Sequence, residues 1–331
     1  MPRYAAPITE DTLAAYVEVR RSNHGPDWYE EFVEAHPQFT GLGQHAIINR
    51  FRNELQKRGQ PTDFRGMARA RITTLPEGAL ITEALSELSL PYRDALIFCD
   101  PHIPHHSRSL MARAFAVAEA QDINTLVLAG DTFDFDCFSS FLKVAPESAE
   151  ETFRVAGEFL EAATQQFEVV CLIMGNHDER ILRRLDLKLG MKLLLDHALG
   201  YCDDPAAVME RLKWTSRFYM EFYDTPDGVT WRISHPDNYR KVAGSVANEG
   251  AIKYGCHYLV AHEHHLQAKI SMYGGHWAVN GGCIVSPAKT EYIQRRDKMC
   301  ADWAPGFSLL YGGEPILFRG DAPESSMEAW L

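Results

Sequence analysis

Residues 95–102 read ALIFCDPH, residues 125–134 read TLVLAGDTFD, and residues 169–178 read VVCLIMGNHD. Each is a short apolar run that ends abruptly in acidic, amide or imidazole side chains. An apolar run without alternation is the mark of a strand buried on both faces. Stretches with helical spacing lie between these runs, over roughly 108–121 and 148–166. Strands and helices alternating in this way predict βαβ units and a sheet covered on both sides. Downstream the rhythm becomes hairpin-like. Arg217 to Tyr223 and Val229 to Ser234 flank Asp224-Thr-Pro-Asp-Gly228, and further pairs are expected at about 267–273 with 276–280 and 306–311 with 315–319.

Upstream, residues 9–58 predict three short helices. Leu13, Tyr16 and Val17 mark the first. Trp28, Phe32 and Val33 mark the second, which opens at Gly25-Pro26-Asp27 and stops at His36-Pro37. Ile47, Ile48, Phe51 and Leu55 mark the third, which ends near Gly59 and Pro61. Such a trio is large enough for a small core of the helix-turn-helix kind, and it carries a basic segment over 41–71. Arg50, Arg52, Lys57, Arg58, Arg65, Arg69 and Arg71 there face only Glu54 and Asp63. Nucleic-acid contact and a plain solvated face are both readings of that segment. Residues 60–92, with Pro61, Gly66, Pro76 and Pro91, read as a linker that includes an extended segment.

The whole chain carries a net charge of −12, which argues against a surface built to coat nucleic acid or anionic lipid. Its 46% hydrophobic and 24% charged residues exclude wholesale disorder. No apolar run approaches the roughly 18–20 residues of a membrane span, and the N-terminus has no secretory signal, so a cytoplasmic protein is expected. The seven cysteines are odd in number, scattered, and contain no CxxC pair. That fits reduced thiols, with Cys99, Cys171 and Cys283 inert inside strands.

The chemistry lies where the strands end. In α/β sheets, functional groups collect in the loops beyond the carboxyl ends of strands. Asp100-Pro-His102 follows the first strand, Gly130-Asp131-Thr-Phe-Asp134 the second, and Gly175-Asn176-His177-Asp178 the third. His235 ends the Val229 strand, and His262-Glu-His264 ends Tyr258 to Ala261. Taken singly these are commonplace, but all fall at strand mouths. Asp100, Asp131 and Asn176 with His102, His235, His262 and His264 are too many ligands for one tetrahedral zinc with an open position, and no cysteine competes. Two metals sharing a carboxylate fit the count. Mixed oxygen and nitrogen donors suit manganese, iron, zinc or nickel over magnesium or calcium.

These five blocks, in this order, resemble the calcineurin-like metallophosphoesterase superfamily, whose pattern is D-x-H, G-D-x-x-D, G-N-H-D/E, a lone H, and G-H-x-H. The likeness runs from about residue 94 to 283 and takes in Asn280-Gly281-Gly282. Ala261 stands where the family usually has glycine, and Pro236 follows His235 where glycine is frequent. Both departures bear on loop shape, and neither removes a ligand. The resemblance implies that Asp100, His102 and His264 hold one metal and that Asn176, His235 and His262 hold another, with Asp131 bridging. It implies that His177 is a non-ligand acid that contacts the phosphate and protonates the leaving oxygen. Asp178 would orient His177, with a helix N-cap as its alternative role, and Asp134 would act behind the ligands.

The expected fold is therefore α/β, a four-layer-type α/β/β/α sandwich of two mixed sheets flanked by helices, with a small N-terminal helical module. Residues 1–60 would form that module, 61–92 the linker, 93–320 the catalytic domain and 321–331 a tail. The expected activity is hydrolysis of a phosphate ester by metal-activated water at two divalent transition-metal ions, manganese first. A phosphodiesterase is preferred to a monoesterase, because the Gly130–Asp136 block also looks like family members that cleave pyrophosphate or diester bonds. His106 and Asn176 are candidate substrate contacts. His105 shares the loop of His106, and Arg180 reads equally as a phosphate contact or a helix-surface residue. A leucine stripe over about 178–200 reads as core packing, with a cap over the metals as its alternative. The competing functions are a DNA or RNA nuclease guided by the basic segment and a non-catalytic binding protein on the same scaffold.

Overall fold

The structure is a computed structural model that describes residues 7–22, 28–39, 44–58, 86–139, 147–184, 190–286, 288 and 303–331. Two compact units divide the chain, Met1–Ala79 and Leu80–Leu331.

The first unit contains α1 (Glu10–Ser22), α2 (Trp28–Ala35) and α3 (Gln44–Lys57). Thr9 and Thr12 start α1 by exchanging backbone-to-hydroxyl bonds, Thr9 N to Thr12 Oγ1 at 2.9 Å and Thr12 N to Thr9 Oγ1 at 3.3 Å. The helices close on Leu13, Tyr16, Trp28, Phe32, Phe39, Ile47, Phe51 and Leu55. Tyr16 stacks on Phe51 with centroids 4.5 Å apart, and edge-to-face pairs surround them. Part of the basic charge of this unit is balanced within it. Arg58 pairs with Glu10 and Glu54, Lys57 lies 3.5 Å from Glu54, and the Arg50 guanidinium lies over Phe39. Gly25-Pro26-Asp27, Arg65, Arg69, Arg71 and most of the expected linker lie outside the described residues.

The second unit is built on two six-stranded mixed sheets. One has β2 (Ala95–Phe98), β3 (Thr125–Ala129), β4 (Val169–Ile173) and β5 (Leu212–Trp214) running parallel. Its antiparallel edge is formed by β11 (Gly306–Tyr311) and β12 (Glu314–Arg319), giving the order β12-β11-β2-β3-β4-β5. The other runs β1-β6-β7-β8-β10-β9. It comprises β1 (Ser89–Pro91), β6 (Tyr219–Tyr223), β7 (Trp231–Ser234), β8 (His257–Val260), β9 (Leu266–Ile270) and β10 (Trp277–Gly281). The three expected hairpins are the antiparallel pairs β6–β7, β9–β10 and β11–β12.

Alternation along each strand sets the layers. Ala95, Ile97, Cys99, Val127, Ala129, Cys171 and Ile173 meet Met220, Phe222, Trp231, Ile233, Leu259 and Val279 in a core between the sheets. Their neighbours Leu96, Phe98, Leu126, Leu128, Val170 and Leu172 face the other way. They pack beneath α4 (Arg108–Ala120), α5 (Ala149–Gln166), α7 (Met191–Leu199) and α8 (Pro205–Arg211). On the outer face of the second sheet, Tyr258, Val260 and Ala278 pack against Val246, Ala247 and Ala251 of α9 (Ser245–Tyr254). Helix, sheet, sheet, helix is the resulting order, the α/β arrangement expected from the strand runs.

Two expectations need adjustment. The helical stretch 178–200 holds a short α6 (Glu179–Arg184) and then α7, with 185–189 outside the described residues. Leu182 and Leu194 sit in the helix-side core, which is the packing reading of the leucine stripe. The extended part of the expected linker is β1, which pairs in parallel with β6 and so extends the second sheet. Among the described residues no helix is long and apolar enough to cross a membrane.

Candidate metal centre

The polar residues that follow β2, β3, β4, β7 and β8 meet at one end of the sandwich. Parallel pairing of β2-β3-β4 in one sheet and β7-β8 in the other aims these carboxyl ends the same way. The chain then turns sharply. Asp100, His102, Asp131, His262 and His264 adopt φ values of 50°, 48°, 49°, 75° and 57°. Left-handed backbone at non-glycine residues is uncommon and clusters where surrounding structure holds a functional site. Two glycines let the loops close on one another. A Cβ on Gly175 would lie 2.1 Å from the Asp131 nitrogen, and one on Gly130, at φ +82°, would lie 2.5 Å from the His235 ring.

The donor atoms fall into two trios, Asp100 with His102 and His264, and Asp131 with His235 and His262. Within each trio the ligand atoms lie within 4.8 Å of one another. His235 Nε2 sits between Asp100 Oδ1 at 3.1 Å and Asp131 Oδ2 at 3.2 Å, which links the trios. His264 Nε2 is 3.4 Å from both Asp100 Oδ1 and His102 Nε2. Burial alone would raise the carboxyls of Asp100 and Asp131, but neighbouring imidazoles outweigh it and hold both well below the carboxylate range. Burial likewise opposes a charge on His235, yet the Asp131 and Asp100 carboxylates hold its pKa well above the usual value. His262 is pushed down, by burial first and then by His235. Two fully buried carboxylates at this spacing require positive charge beside them.

Asn176 tests whether a cation fits. Its Oδ1 is buried with no hydrogen-bond partner, as are Nδ1 of His235 and Nδ1 of His264. An orphaned buried carbonyl costs about 1–3 kcal/mol and needs a compensating ligand. Carboxylates and imidazoles grouped as these are make a donor set of the kind transition-metal ions take. These clustered His and Asp residues could therefore bind metal ions.

Behind the donors lies a tightly bonded layer. Asp134 Oδ1 accepts from His102 Nδ1 at 2.8 Å and from His177 Nδ1 at 2.6 Å, and Asp134 Oδ2 lies 3.3 Å from His105 Nε2. Burial would raise the Asp134 carboxyl, but these imidazoles hold it well below its ordinary range. His177 donates its backbone N–H to Asp131 Oδ1 at 2.7 Å, and its Nε2 accepts from Arg180 Nη2 at 2.6 Å. His102, Asp131 and His177 also form a compact trio, but both ring nitrogens of His177 are already engaged.

One sequence expectation is corrected here. Asp178 does not orient His177; that contact belongs to Asp134. Both Asp178 oxygens instead accept backbone N–H groups, Oδ1 from Phe133 at 2.8 Å and Oδ2 from Gly175 at 2.7 Å. The side chain thus straps the β3 loop to the β4 loop rather than capping α6. Burial first, then the neighbouring Asp131 charge, pushes its carboxyl up against those two donors. His106 is buried and bridges in strand fashion to Val285, while its neighbour His105 lies 3.3 Å from Asp134 Oδ2.

Sequence reasoning also missed Glu263. Lying between two donor histidines, it is buried and accepts from Asn280 Nδ2 and the Arg240 N–H, both at 2.8 Å. Asn280 Oδ1 in turn accepts the Gly244 N–H at 2.6 Å, so this pair fastens the 236–244 loop that follows His235. An acidic residue inside a histidine pair was the available signal. Trp303 and His264 pack in a T-shaped pair with centroids 4.0 Å apart.

No protein-family model and no curated protein matches the sequence. Among solved structures, the chain is similar to Vacuolar Protein Sorting 29 from Cryptosporidium parvum, with a TM-score of 0.36, 14% identity, and coverage of 69% of this chain and 96% of that one. It is similar to YfcE, a phosphoesterase from E. coli, with a TM-score of 0.34, 12% identity, and coverage of 66% and 88%. A third, Vps29 complexed with Zn²⁺ from Entamoeba histolytica, has a TM-score of 0.33, 12% identity, and coverage of 69% and 98%. What the site can do follows from its own residues rather than from these likenesses.

Proposed function

We propose that the chain is a dinuclear-metal-dependent phosphoesterase of the calcineurin-like type, acting on a phosphodiester in preference to a monoester. The observation that supports this reading is the meeting of six Asp and His donors, Asp100, His102, Asp131, His235, His262 and His264, at four strand ends, together with a buried, unpartnered Asn176 carbonyl in the loop after a fifth. Asp100, His102 and His264 would hold one divalent ion, and Asn176, His235 and His262 the other, with Asp131 shared. Manganese is the first candidate, ahead of iron, zinc and nickel. When bound, such a pair supplies neutralisation of the phosphate charge and a lowered pKa for the attacking water.

The chain's own groups complete the chemistry. Asp134 fixes the ring of His177 through Nδ1, so that Nε2 is the atom presented to an ester's leaving oxygen. The preference for a diester rests on the resemblance of the Gly130–Asp136 block. A cytoplasmic setting is part of this proposal and rests on the scattered cysteines of the sequence, which contain no CxxC pair. A nuclease guided by residues 41–71 is the weaker reading, since Arg58 and Lys57 already have acidic partners.

The test is metal analysis together with hydrolysis of bis-p-nitrophenyl phosphate and p-nitrophenyl phosphate, with manganese and with chelator. Two bound ions and chelator-sensitive diester cleavage are expected. A purified protein that binds no transition metal and cleaves neither ester would overturn the proposal.

A further inference from the structure

Arg180 lies outside both donor trios, yet its guanidinium is aimed at their edge. Nη1 donates to the Asp134 carbonyl oxygen at 3.0 Å and lies 3.6 Å from Asp134 Oδ1 and 3.5 Å from Asp136 Oδ1. That nitrogen is the anchor. Nη2 donates to His177 Nε2 at 2.6 Å. Guanidinium has donors and no acceptor, so Nε2 offers its lone pair while Nη2 is seated on it and is free to carry a proton only once Nη2 has moved away. Any oxygen brought up to His177 Nε2 therefore arrives within reach of a charged donor already fixed in place.

We propose that Arg180 is a substrate-binding residue. Its Nη2 exchanges His177 Nε2 for an oxygen of the phosphoryl group on the leaving side, while Nη1 stays on Asp134. This inference rests on the phosphoesterase reading and deepens it. The leaving side of the ester is held by a pre-placed cationic donor, which suits esters whose leaving oxygen gathers charge before any proton reaches it. Pre-organised donors of this kind act most strongly where negative charge develops, and the loss of one costs about 10²–10³-fold in turnover. A planar fork gives directions that a lysine ammonium cannot reproduce.

The experiment uses Arg180→Met and Arg180→Lys in the full chain, with metal content and thermal melting measured first. Inorganic phosphate is titrated into the manganese-loaded proteins by calorimetry, and a series of aryl phosphodiesters with leaving groups of increasing basicity is assayed. Phosphate affinity is expected to fall at least about tenfold in Arg180→Met. Its rate loss should widen towards the poorest leaving groups, with partial recovery in Arg180→Lys. In the metal-free protein, ¹⁵N spectra should show the Nδ1–H tautomer of His177 in wild type and its loss in Arg180→Met. Unchanged phosphate affinity, or a rate loss equal across the series, overturns the assignment and leaves Arg180 a structural residue. Absence of hydrolysis by metal-loaded wild type would instead sink the phosphoesterase reading, and the phosphate titration would still decide Arg180.

Discussion

Replacing Asp178 by asparagine should weaken the protein by an amount that its two hydrogen bonds set. The carboxylate is fully buried and receives one N–H from Phe133 and one from Gly175, at 2.8 and 2.7 Å. Asparagine keeps one acceptor and turns an NH₂ group towards the other N–H. One hydrogen bond is lost and a buried amide is left without a partner, at a cost of about 1–3 kcal/mol. Alanine removes both acceptors and leaves two such amides, so about 2–6 kcal/mol is expected. At roughly 2–4 °C per kcal/mol for a unit of this size, asparagine should lower the melting temperature by about 2–12 °C, and alanine should match or exceed that loss. Because Gly175 precedes Asn176, and Phe133 follows the Asp131 loop, metal affinity should fall along with stability. Calorimetric melting of metal-free and manganese-loaded protein measures both effects. A melting temperature for Asp178→Asn within about 1 °C of wild type would mean that the second amide bond contributes nothing to the fold, which refutes the strap.

Other consequences are equally direct. Asn176→Ala removes the orphaned carbonyl, so metal content should drop from about two ions per chain towards one; two tightly held ions would exclude Asn176 as a ligand. His177→Ala should leave metal content intact and reduce turnover by about 10²–10⁴-fold, and loss of metal would instead make His177 a ligand. Far from the site, Asp227 accepts from His257 Nε2 at 2.7 Å, Thr225 Oγ1 at 3.0 Å and the Val229 N–H at 3.1 Å. Slight burial would raise its carboxyl, but these donors outweigh it and lower the pKa. A depressed carboxyl stabilises the fold above its unfolded value near about 4 and loses that contribution as pH falls through the folded value. The melting-temperature gap between wild type and Asp227→Asn should therefore be full at pH 6–7 and close below about pH 4; a gap that widens on acidification would contradict the assignment.

The runs 95–99, 125–129 and 169–174 were legible as strands because burial on both faces leaves a local apolar pattern that needs no partner to be read. For the same reason the polar residues that end them stood out as strand-mouth groups. The contacts that organise the site were not legible. Asp134 serves three imidazoles and Asp178 serves two backbone amides, though both are aspartates three or four residues after a glycine. Arg180 sits in the first turn of a surface helix, where sequence alone allows either role. Glu263 and Asn280, 17 residues apart, meet only because β8 and β10 pair in parallel.

The sequence by itself thus determined the strands, the alternation that sorts residues between layers, and which side chains stand at the strand ends. Only the tertiary structure decided which of these side chains touch, because His235 reaches Asp100 and Asp131 across the gap between two sheets. That approach depends on sheet order, left-handed turns and the missing side chains of Gly130 and Gly175, and pairing over such distances leaves no periodic trace in the chain.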